Sequence, residues 1–356
     1  MDHHTDASQS PTVDLPRLAG MVALVLVVAA IAYWLGISGY QQPAKAPLYE
    51  LGMNQPGENK LEKNYRDADG DLVADPPTES AEWLDPPTIQ FAYLAADQKE
   101  YAELWKPVLD KLSAACGRPI EFVTHESPDD ELAAIQNGSL HLVGINSGSV
   151  PVAVNQCGFR PLVSFGKDGK LATYTMKIIA RSDSDIKEVD DLRGKRLALT
   201  HPTSNSGWKA PLLLLLRKFD LKPIVDYDIA STGDHAKSIE ALVAGEQVVV
   251  SVASDELQLA EEKGIIAPKD YRVIYESAPF CNNTFGCPYN LKPELADKLR
   301  QGMLELDWQD TDFDKMFSTI GATQFVPIVY QTDFSLIRDI DNAMGARTRE
   351  LLGRRF

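Results

Sequence analysis

Cysteine, histidine and basic side chains are scarce in this sequence of 356 residues, which has four Cys, six His, and 35 Lys plus Arg against 51 Asp plus Glu. Four cysteines are too few for a small scaffold held by disulfides, and six histidines leave little material for a histidine-rich metal site. The formal charge of −16 excludes a general nucleic-acid binder, which needs a basic face. Hydrophobic residues make up 44%, which is enough for the cores of about two domains.

One long segment lacks charge altogether. Residues 18–40 read LAGMVALVLVVAAIAYWLGISGY, and about 20 apolar residues are needed to span the hydrocarbon of a bilayer. Tyr33, Trp34 and Tyr40 lie near one end, where amphipathic rings favour the membrane interface. The segment predicts an uncleaved single-pass anchor, with residues 1–17 as a short inner tail and the rest on the periplasmic or extracellular side. The alternative is a cleaved signal peptide, whose apolar region is usually shorter.

An acidic segment follows the predicted anchor. Residues 41–87 are rich in Pro, Gly, Asn, Asp and Glu, which predicts a linker. Within it, carboxylates alternate around a glycine in a pattern that resembles the repeats of thrombospondin type 3, and such a turn can converge on one Ca²⁺. The four carboxylates belong to Asp67, Asp69, Asp71 and Asp75. We expect a structural Ca²⁺ site here and no other cofactor; the alternative is a solvated acidic turn.

From residue 88 onward, strand-like apolar segments alternate with amphipathic helices. The first helix is predicted over 101–115, because Trp105, Val108 and Leu112 share one stripe and Gly117 follows as a terminating glycine. Such alternation indicates an α/β fold with mostly parallel sheets flanked by helices. The chain builds one lobe, builds a second and returns to the first. The predicted clamp has lobe 1 at 88–180 plus 273–356, lobe 2 at 181–272, a hinge near 180 and 272, and its ligand between the lobes.

Six segments, taken in their order and spacing, carry a family resemblance. They are Trp105-Lys-Pro-Val-Leu109, Asp183-Ser184, Asp191-Leu-Arg-Gly-Lys-Arg-Leu-Ala198, His201-Pro-Thr-Ser-Asn-Ser-Gly207, Gly233-Asp-His-Ala-Lys-Ser238 and Phe325-Val-Pro-Ile328. The chain resembles the phosphate/phosphite/phosphonate-binding members of the type II periplasmic solute-binding proteins, which are receptors of ABC importers. The resemblance implies a non-enzymatic protein that captures a phosphorus oxyanion for an ABC permease and ATPase. We expect a monomer, because every long apolar run outside residues 18–40 is interrupted or periodic.

The resemblance also implies a ligand site between the lobes. Its oxyanion donors fall on the turn Ser204, Asn205, Ser206 and Gly207, and its other ligand contacts fall on Tyr174, His235, Asp255 and Asn283. A turn before a helix suits an anion, because the first N–H groups of a helix are unpaired and carry partial positive charge. A neutral Asn283, where relatives place an acid, argues against an ammonium-bearing ligand. The alternative roles are a serine N-cap, a core tyrosine, a helix-capping histidine and a solvated aspartate.

Two other functional classes stay open from the sequence. The first is a membrane-tethered sensor or scaffold that uses the same clamp without transport. The second is a hydrolase with Ser206, His235 and Asp255 as a triad, which is disfavoured because the strained Gly-x-Ser-x-Gly turn of such enzymes is missing. For the cysteines, a Cys281–Cys287 bridge is slightly preferred over free buried thiols, because the five residues between them can form a turn.

Overall fold

The computed structural model describes residues 61–93, 98–309, 311–318 and 321–344. The predicted tail (1–17), the predicted anchor (18–40) and the first part of the predicted linker lie outside these residues. Among the described residues, none of the helices combines the length and the apolar content needed to cross a bilayer.

The strands are short and are separated by helices or tight turns. They are β1 (Ile89–Tyr93), β2 (Ile120–Phe122), β3 (Leu142–Ile145), β4 (Phe159–Lys167), β5 (Lys170–Leu171), β6 (Thr173–Tyr174), β7 (Met176–Arg181), β8 (Arg196–Leu199), β9 (Asp228–Ser231), β10 (Val249–Ala253), β11 (Tyr271–Glu276), β12 (Phe280–Cys281), β13 (Thr284–Pro288) and β14 (Gln324–Pro327).

The helices alternate with these strands. They are α1 (Gln98–Cys116), α2 (Pro128–Gln136), α3 (Val150–Cys157), α4 (Ala210–Phe219), α5 (His235–Val243), α6 (Ser254–Glu262), α7 (Pro293–Leu304), α8 (Asp312–Ser318), α9 (Tyr330–Asp333) and α10 (Ser335–Met344). Tighter or wider turns add 3-10 segments at Ser80–Glu82 and Val189–Leu192 and a π-helical turn at Asn205–Lys209.

The local sequence explains these elements. In α1, Trp105, Val108 and Leu112 are buried as the predicted stripe requires. The helix ends before Gly117, whose φ of +72° is a left-handed conformation that glycine adopts without strain. The first turn of α2 is capped by Ser127, whose side chain accepts a hydrogen bond from the N–H of Asp130.

Lobe 1 contains a seven-stranded sheet in the order β14-β4-β13-β3-β1-β2, with β5 paired to β4. Strand β1 is parallel to β2 and β3. Strand β13 is antiparallel to β3 and β4, and β4 is antiparallel to β14 and β5. The prediction of a mostly parallel sheet is therefore wrong for lobe 1: of the returning chain, β13 enters the middle of the sheet and β14 joins its edge, both as antiparallel strands.

Lobe 2 contains a five-stranded sheet in the order β11-β7-β10-β8-β9. Strand β8 is parallel to β9 and β10, whereas β7 is antiparallel to β10 and β11. Because β7 pairs with β10 and β11 pairs with β7, the segments 176–180 and 273–276 belong to this sheet and not to lobe 1 as predicted. The chain crosses between the lobes at β6 and β12, where Tyr174 lies opposite Phe280 in a two-stranded ribbon.

The described part of the predicted linker, residues 61–87, packs on lobe 1. Val73 and Ala74 are buried, and the rings of Tyr65 and Tyr289 meet edge to face with centroids 5.0 Å apart. Leu84 forms a β-bridge with Leu291. The linker prediction is wrong for this segment, because a few apolar residues spaced among polar ones are enough to fix it to the core.

All four cysteines are free and buried, so the slightly preferred Cys281–Cys287 bridge is wrong. Cys281 and Cys287 belong to two different clusters of the hydrophobic core. Burial raises the pKa of each of these two thiols to about 12, which keeps them protonated and unreactive.

Candidate functional site

The centre of the candidate site is the serine turn, residues 204–207, between β8 and α4. Ser204 is the N-cap, and its hydroxyl oxygen accepts from the N–H of Gly207 at 3.0 Å. The N–H groups of Asn205 and Ser206 donate to no acceptor among the described residues. Both side chains are 2% exposed, and the Oδ1 of Asn205 has no donor in the described part of the chain. The turn therefore offers unpaired backbone donors and one unpaired acceptor at buried residues.

Tyr174 joins the serine turn to lobe 1. Its hydroxyl lies 2.6 Å from the hydroxyl of Ser147, in the loop after β3, and accepts from Nδ2 of Asn205 at 3.2 Å. Burial raises the pKa of Tyr174 to about 12, so the hydroxyl stays neutral and can both donate and accept. Tyr174, which the family resemblance implies as a ligand contact, thus lies at the junction of the lobes.

His235, the first residue of α5, packs against Ser204. Its Nδ1 accepts from the N–H of Ala253 at 3.2 Å, and its Nε2 lies 3.4 Å from Oγ of Ser204. Because Nδ1 is an acceptor, the proton of the neutral ring is on Nε2 and points at the serine. Burial lowers the pKa of His235 to about 4, so the ring is neutral at ordinary pH. His235 thus orients Ser204 without adding charge.

Asp255 and the asparagines 282 and 283 form the neighbouring part of the cleft. Nδ2 of Asn282 donates to Oδ2 of Asp255 at 3.0 Å, and Nδ2 of Asn283 donates to the hydroxyl of Tyr93 at 2.8 Å. Burial raises the pKa of Asp255, against the opposing effect of the Asn282 hydrogen bond. The carboxyl is therefore easier to protonate than an exposed aspartate and well suited to share a proton with a ligand.

The structure brings most of the predicted residues to the junction of the lobes, with two differences in role. The N–H of Gly207 is already used by Ser204, so this residue is not a ligand donor. An ideal Cβ on Gly207 would lie 1.9 Å from Oγ1 of Thr200, so glycine serves close packing there. Asn283 contacts Tyr93, and the partner of Asp255 is Asn282, which the sequence analysis did not single out.

The sequence analysis also missed the loop Ser147-Gly148-Ser149 and Lys209. The loop lies between β3 and α3, just as the serine turn lies between β8 and α4. Small polar residues at a strand end before a helix are the signal that identified the serine turn, and the same signal is present at Ser147. Lys209 gave no such signal, because one lysine near an apolar helix is usually exposed.

The hydrolase alternative fails on geometry. Nε2 of His235 lies against Ser204, whereas the backbone oxygen of Ser206 accepts from the hydroxyl of Ser251 at 2.8 Å. Asp255 is bonded to Asn282, and the Nδ1 of His235 is bonded to the backbone of Ala253. A triad requires base to nucleophile and acid to base contacts, and neither is present.

The acidic turn at residues 67–75 brings three of its four predicted carboxylates together. Ligand oxygens of Asp67, Asp69 and Asp71 lie within 4.8 Å of one another. Asp75 is directed elsewhere, since its Oδ2 accepts from the N–H of Ala68 at 2.8 Å. Partial burial, together with repulsion from neighbouring carboxylates, raises the pKa of Asp71.

A two-lobed α/β clamp with unpaired helix-start donors at the lobe junction defines a solute-binding protein. The chain belongs to the family of periplasmic phosphonate substrate-binding proteins of ABC transporters, which it matches over residues 91–333. The family consists of binding components that work with a permease and an ATPase. This confirms the family, the two-lobed fold and the non-enzymatic class predicted from the sequence.

One curated relative is similar in sequence, and two solved structures share the fold. The chain is 26% identical over 227 residues, 60% of its length and 70% of the relative's, to the phosphate-import protein PhnD of Mycolicibacterium smegmatis. PhnD1 from Prochlorococcus marinus, solved in complex with methylphosphonate, matches 76% of this chain and 100% of its own, with a TM-score of 0.63 and 12% identity. A binding protein component of an ABC phosphonate transporter from Pseudomonas aeruginosa matches 76% and 94%, with a TM-score of 0.62 and 16% identity.

Proposed function

We propose that the protein captures a phosphorus oxyanion, either phosphate, phosphite or a phosphonate, between its lobes and delivers it to an ABC permease and ATPase. The observation that carries this proposal is the serine turn. There the N–H groups of Asn205 and Ser206 have no acceptor among the described residues, and both residues are buried. With a formal net charge of −16, the protein repels anions at long range. Affinity must therefore come from hydrogen-bond donors that lie close to the anion and point at it. Each hydrogen bond to a charged group contributes about 1.5–3 kcal/mol.

The acceptors at the site favour an oxyanion that still carries a proton. Oδ1 of Asn205 lacks a donor among the described residues, and a carboxylate oxygen of Asp255 accepts from Nδ2 of Asn282. Oδ1 of Asn205 and the ionised form of Asp255 accept a hydrogen bond from a P–OH group, whereas they repel the unprotonated oxygens of sulfate. Hydrogen phosphate and related monoprotonated ions therefore fit this site better than sulfate.

A thermal-shift screen of the protein lacking residues 1–45 tests the proposal. Ligands are phosphate, phosphite, methylphosphonate and sulfate, each at the same concentration and pH. A ligand present at 100 times its Kd stabilises the folded state by about 2.7 kcal/mol, a readily measured rise in Tm. We expect at least one phosphorus oxyanion to raise the Tm and sulfate to leave it unchanged. Equal effects of all four ions would contradict selection by Asn205 and Asp255.

We further propose that residues 18–40 anchor the protein in the cell membrane with the clamp outside the cytoplasm. The charge-free run supports this, and the family's periplasmic role agrees with it. Deleting residues 1–45 should give a monomer that needs no detergent, whereas the full chain should partition with membranes. Release of the full chain by a high-salt wash would contradict anchoring.

A tethered sensor is the second candidate function, because the lobes contact each other directly at several points and such contacts can change when a ligand binds. Across the junction, Lys263 at the end of α6 lies 3.6 Å from Glu100 of α1, and Tyr174 bonds Ser147. Loss of oxyanion uptake in cells lacking the protein would favour the importer role over the sensor.

A further inference from the structure

A second loop of small polar residues lies against the serine turn. It consists of residues 147–149 between β3 and α3, all three of them buried, and we call it the lobe-1 loop. An ideal Cβ on Gly148 would lie 2.2 Å from the backbone oxygen of Thr203 and 2.4 Å from the backbone N of Asn205, so the two loops are in direct contact. A ligand at the serine turn therefore adjoins groups that belong to lobe 1.

The lobe-1 loop has unpaired backbone donors, as the serine turn has. The N–H groups of Ser147 and Gly148 donate to no acceptor among the described residues. The carbonyl of Gly148, in contrast, accepts from the ammonium of Lys209 at 2.6 Å, and this ammonium also donates to Asp341 at 2.6 Å. Buried backbone N–H groups are nearly always paired, so two adjacent unpaired ones indicate that the loop donates to a ligand.

The hydroxyl of Tyr174 connects the two loops and leaves one hydrogen over. Its oxygen accepts from Nδ2 of Asn205 at 3.2 Å, and it shares a hydrogen bond of 2.6 Å with the hydroxyl of Ser147. The side chain of Ser206 also hydrogen-bonds to Tyr174, which opposes the effect of burial on the pKa of the phenol. Three hydroxyl groups linked by two hydrogen bonds hold three hydrogens. One hydroxyl hydrogen is therefore left without an acceptor among the described residues.

One acceptor accompanies these donors. Oδ1 of Asn205 has no donor among the described residues, and Asn205 is 2% exposed. Because Nδ2 of the same amide is bonded to Tyr174, the amide is held where the serine turn meets the lobe-1 loop. The junction thus combines several donors from both lobes with a single acceptor. This set matches a tetrahedral oxyanion that carries one P–OH group, because its other oxygens only accept hydrogen bonds.

We propose that the lobe-1 loop is the second half of the oxyanion site and that Ser147 binds the ligand. The N–H groups of Ser147 and Gly148 donate to the oxyanion, and Tyr174 orients the hydroxyl of Ser147 so that it donates as well. The ligand is then held from both lobes by backbone N–H groups and hydroxyls. This inference rests on the proposed capture of a phosphorus oxyanion at the serine turn, and it adds a ligand-binding residue from the other lobe.

Calorimetric titration of the full chain tests the role of Ser147. The titrants are inorganic phosphate, phosphite and methylphosphonate, and the variants are compared with the ion that the parent binds most tightly. The test variant is Ser147→Ala, which removes one hydroxyl. The control is Ser149→Ala, because Ser149 is in the same loop and similarly buried. Its hydroxyl accepts from Nδ2 of Asn146 at 2.9 Å and does not contact Tyr174.

The two serine variants should differ in affinity and in the environment of the bound ion. Because Ser147→Ala loses a hydrogen bond to a charged group, its Kd should rise about tenfold or more, whereas that of Ser149→Ala should stay close to the parent's. The phosphorus NMR resonance of the bound ion should move in Ser147→Ala only, since a loss of stability alone does not change the groups around the phosphorus. Ser147→Cys, whose thiol is a weak donor, should behave like Ser147→Ala and serves if that variant fails to fold.

Melting curves show which variants are folded. Parent-like affinity and resonance in a folded Ser147 variant, or an equal loss of affinity in the Ser147 and Ser149 variants, overturns the inference and leaves the proposed function intact. A parent that binds none of the three ions overturns the proposed function, and the inference with it.

Discussion

Nε2 of His235 lies 3.4 Å from Oγ of Ser204, and Nδ1 of the same ring accepts from the N–H of Ala253. The histidine therefore links strand β10 to the serine turn, and only the neutral ring can do so. A protonated ring carries a proton on Nδ1, which would face the N–H of Ala253. The arrangement of the turn thus depends on a group that titrates at acid pH.

The first prediction is that acid weakens the fold through His235. Its pKa is lowered from 6.5 to about 4, so the unfolded chain takes up the proton first. Stability from this residue is present above pH 6.5 and is lost as the pH falls from there toward 4. A shift of this size corresponds to about 3 kcal/mol for a fully buried group, and because His235 is only half-buried as a residue, we expect about 1–2 kcal/mol.

Urea denaturation at pH 7, 6 and 5 measures this loss. His235→Gln keeps a donor toward Ser204 but does not titrate, so it serves as the matched reference. As the pH is lowered from 7 to 5, the free energy of unfolding should fall more steeply in the parent than in this variant. Parallel pH profiles would show that the residue does not carry the effect.

The second prediction concerns the hydroxyls around the oxyanion. Ser206→Ala and Tyr174→Phe each remove one hydroxyl at the junction of the lobes without adding volume. A lost hydrogen bond to a charged group costs about 1.5–3 kcal/mol, so the Kd of the best oxyanion should rise about tenfold or more. Ser184→Ala is the control, because its hydroxyl bonds only the backbone of Arg181 within lobe 2.

Calorimetric titration of the parent and the three variants gives the affinities, and melting curves show whether the fold is kept. Parent-like affinity in both cleft variants would place the ligand elsewhere. A parallel loss in the Ser184 variant would indicate a general effect of destabilisation rather than a contact with the ligand.

Much of the fold follows from the sequence by local physics. The helix α1 and its glycine end are predictable because a buried stripe and a left-handed terminator act within one segment. The lobe boundaries are not predictable in this way, because the segment Met176–Arg181 is apolar enough to fit the sheet of either lobe. Only its long-range pairing with β10 assigns it to lobe 2. The mixed parallel and antiparallel pairing in the sheet of lobe 1 also depends on long-range contacts, so it is not predictable from local sequence.

The site shows the same division. The serine turn is visible in the sequence because it concentrates hydroxyls and a glycine before a helix. The partners of Asp255 and Lys209 are not visible, since Asn282 is 27 residues from Asp255 and Asp341 is 132 residues from Lys209. Such pairings arise only when the lobes come together.

The third prediction is that the acidic turn binds Ca²⁺ through Asp67, Asp69 and Asp71, whose oxygens lie within 4.8 Å of one another. Their exposure predicts weak affinity, with a Kd of about 10⁻⁴–10⁻³ M. Calorimetry on the protein lacking residues 1–45 should show this binding, and Asp69→Asn should abolish it. Asp75→Asn should keep it, because the carboxylate of Asp75 does not belong to the group of three whose oxygens lie close together. Absence of heat with millimolar Ca²⁺ would leave a solvated acidic turn.

The fourth prediction is that Gly148→Ala separates the lobes. The new Cβ would lie 2.2 Å from the oxygen of Thr203 and 2.4 Å from the N of Asn205, and backbone atoms cannot rotate out of the way. Overpacking of this kind costs about 1–3 kcal/mol, and here the cost falls on the closed form because the colliding atoms belong to opposite lobes. Scattering in solution should therefore show a larger radius of gyration and oxyanion affinity should fall. Gly169→Ala is the control: its Cβ meets nothing within 4 Å, and its φ of +73° carries only a local backbone strain. A compact Gly148→Ala protein with parent-like affinity would mean that the contact between these two backbones does not hold the clamp closed.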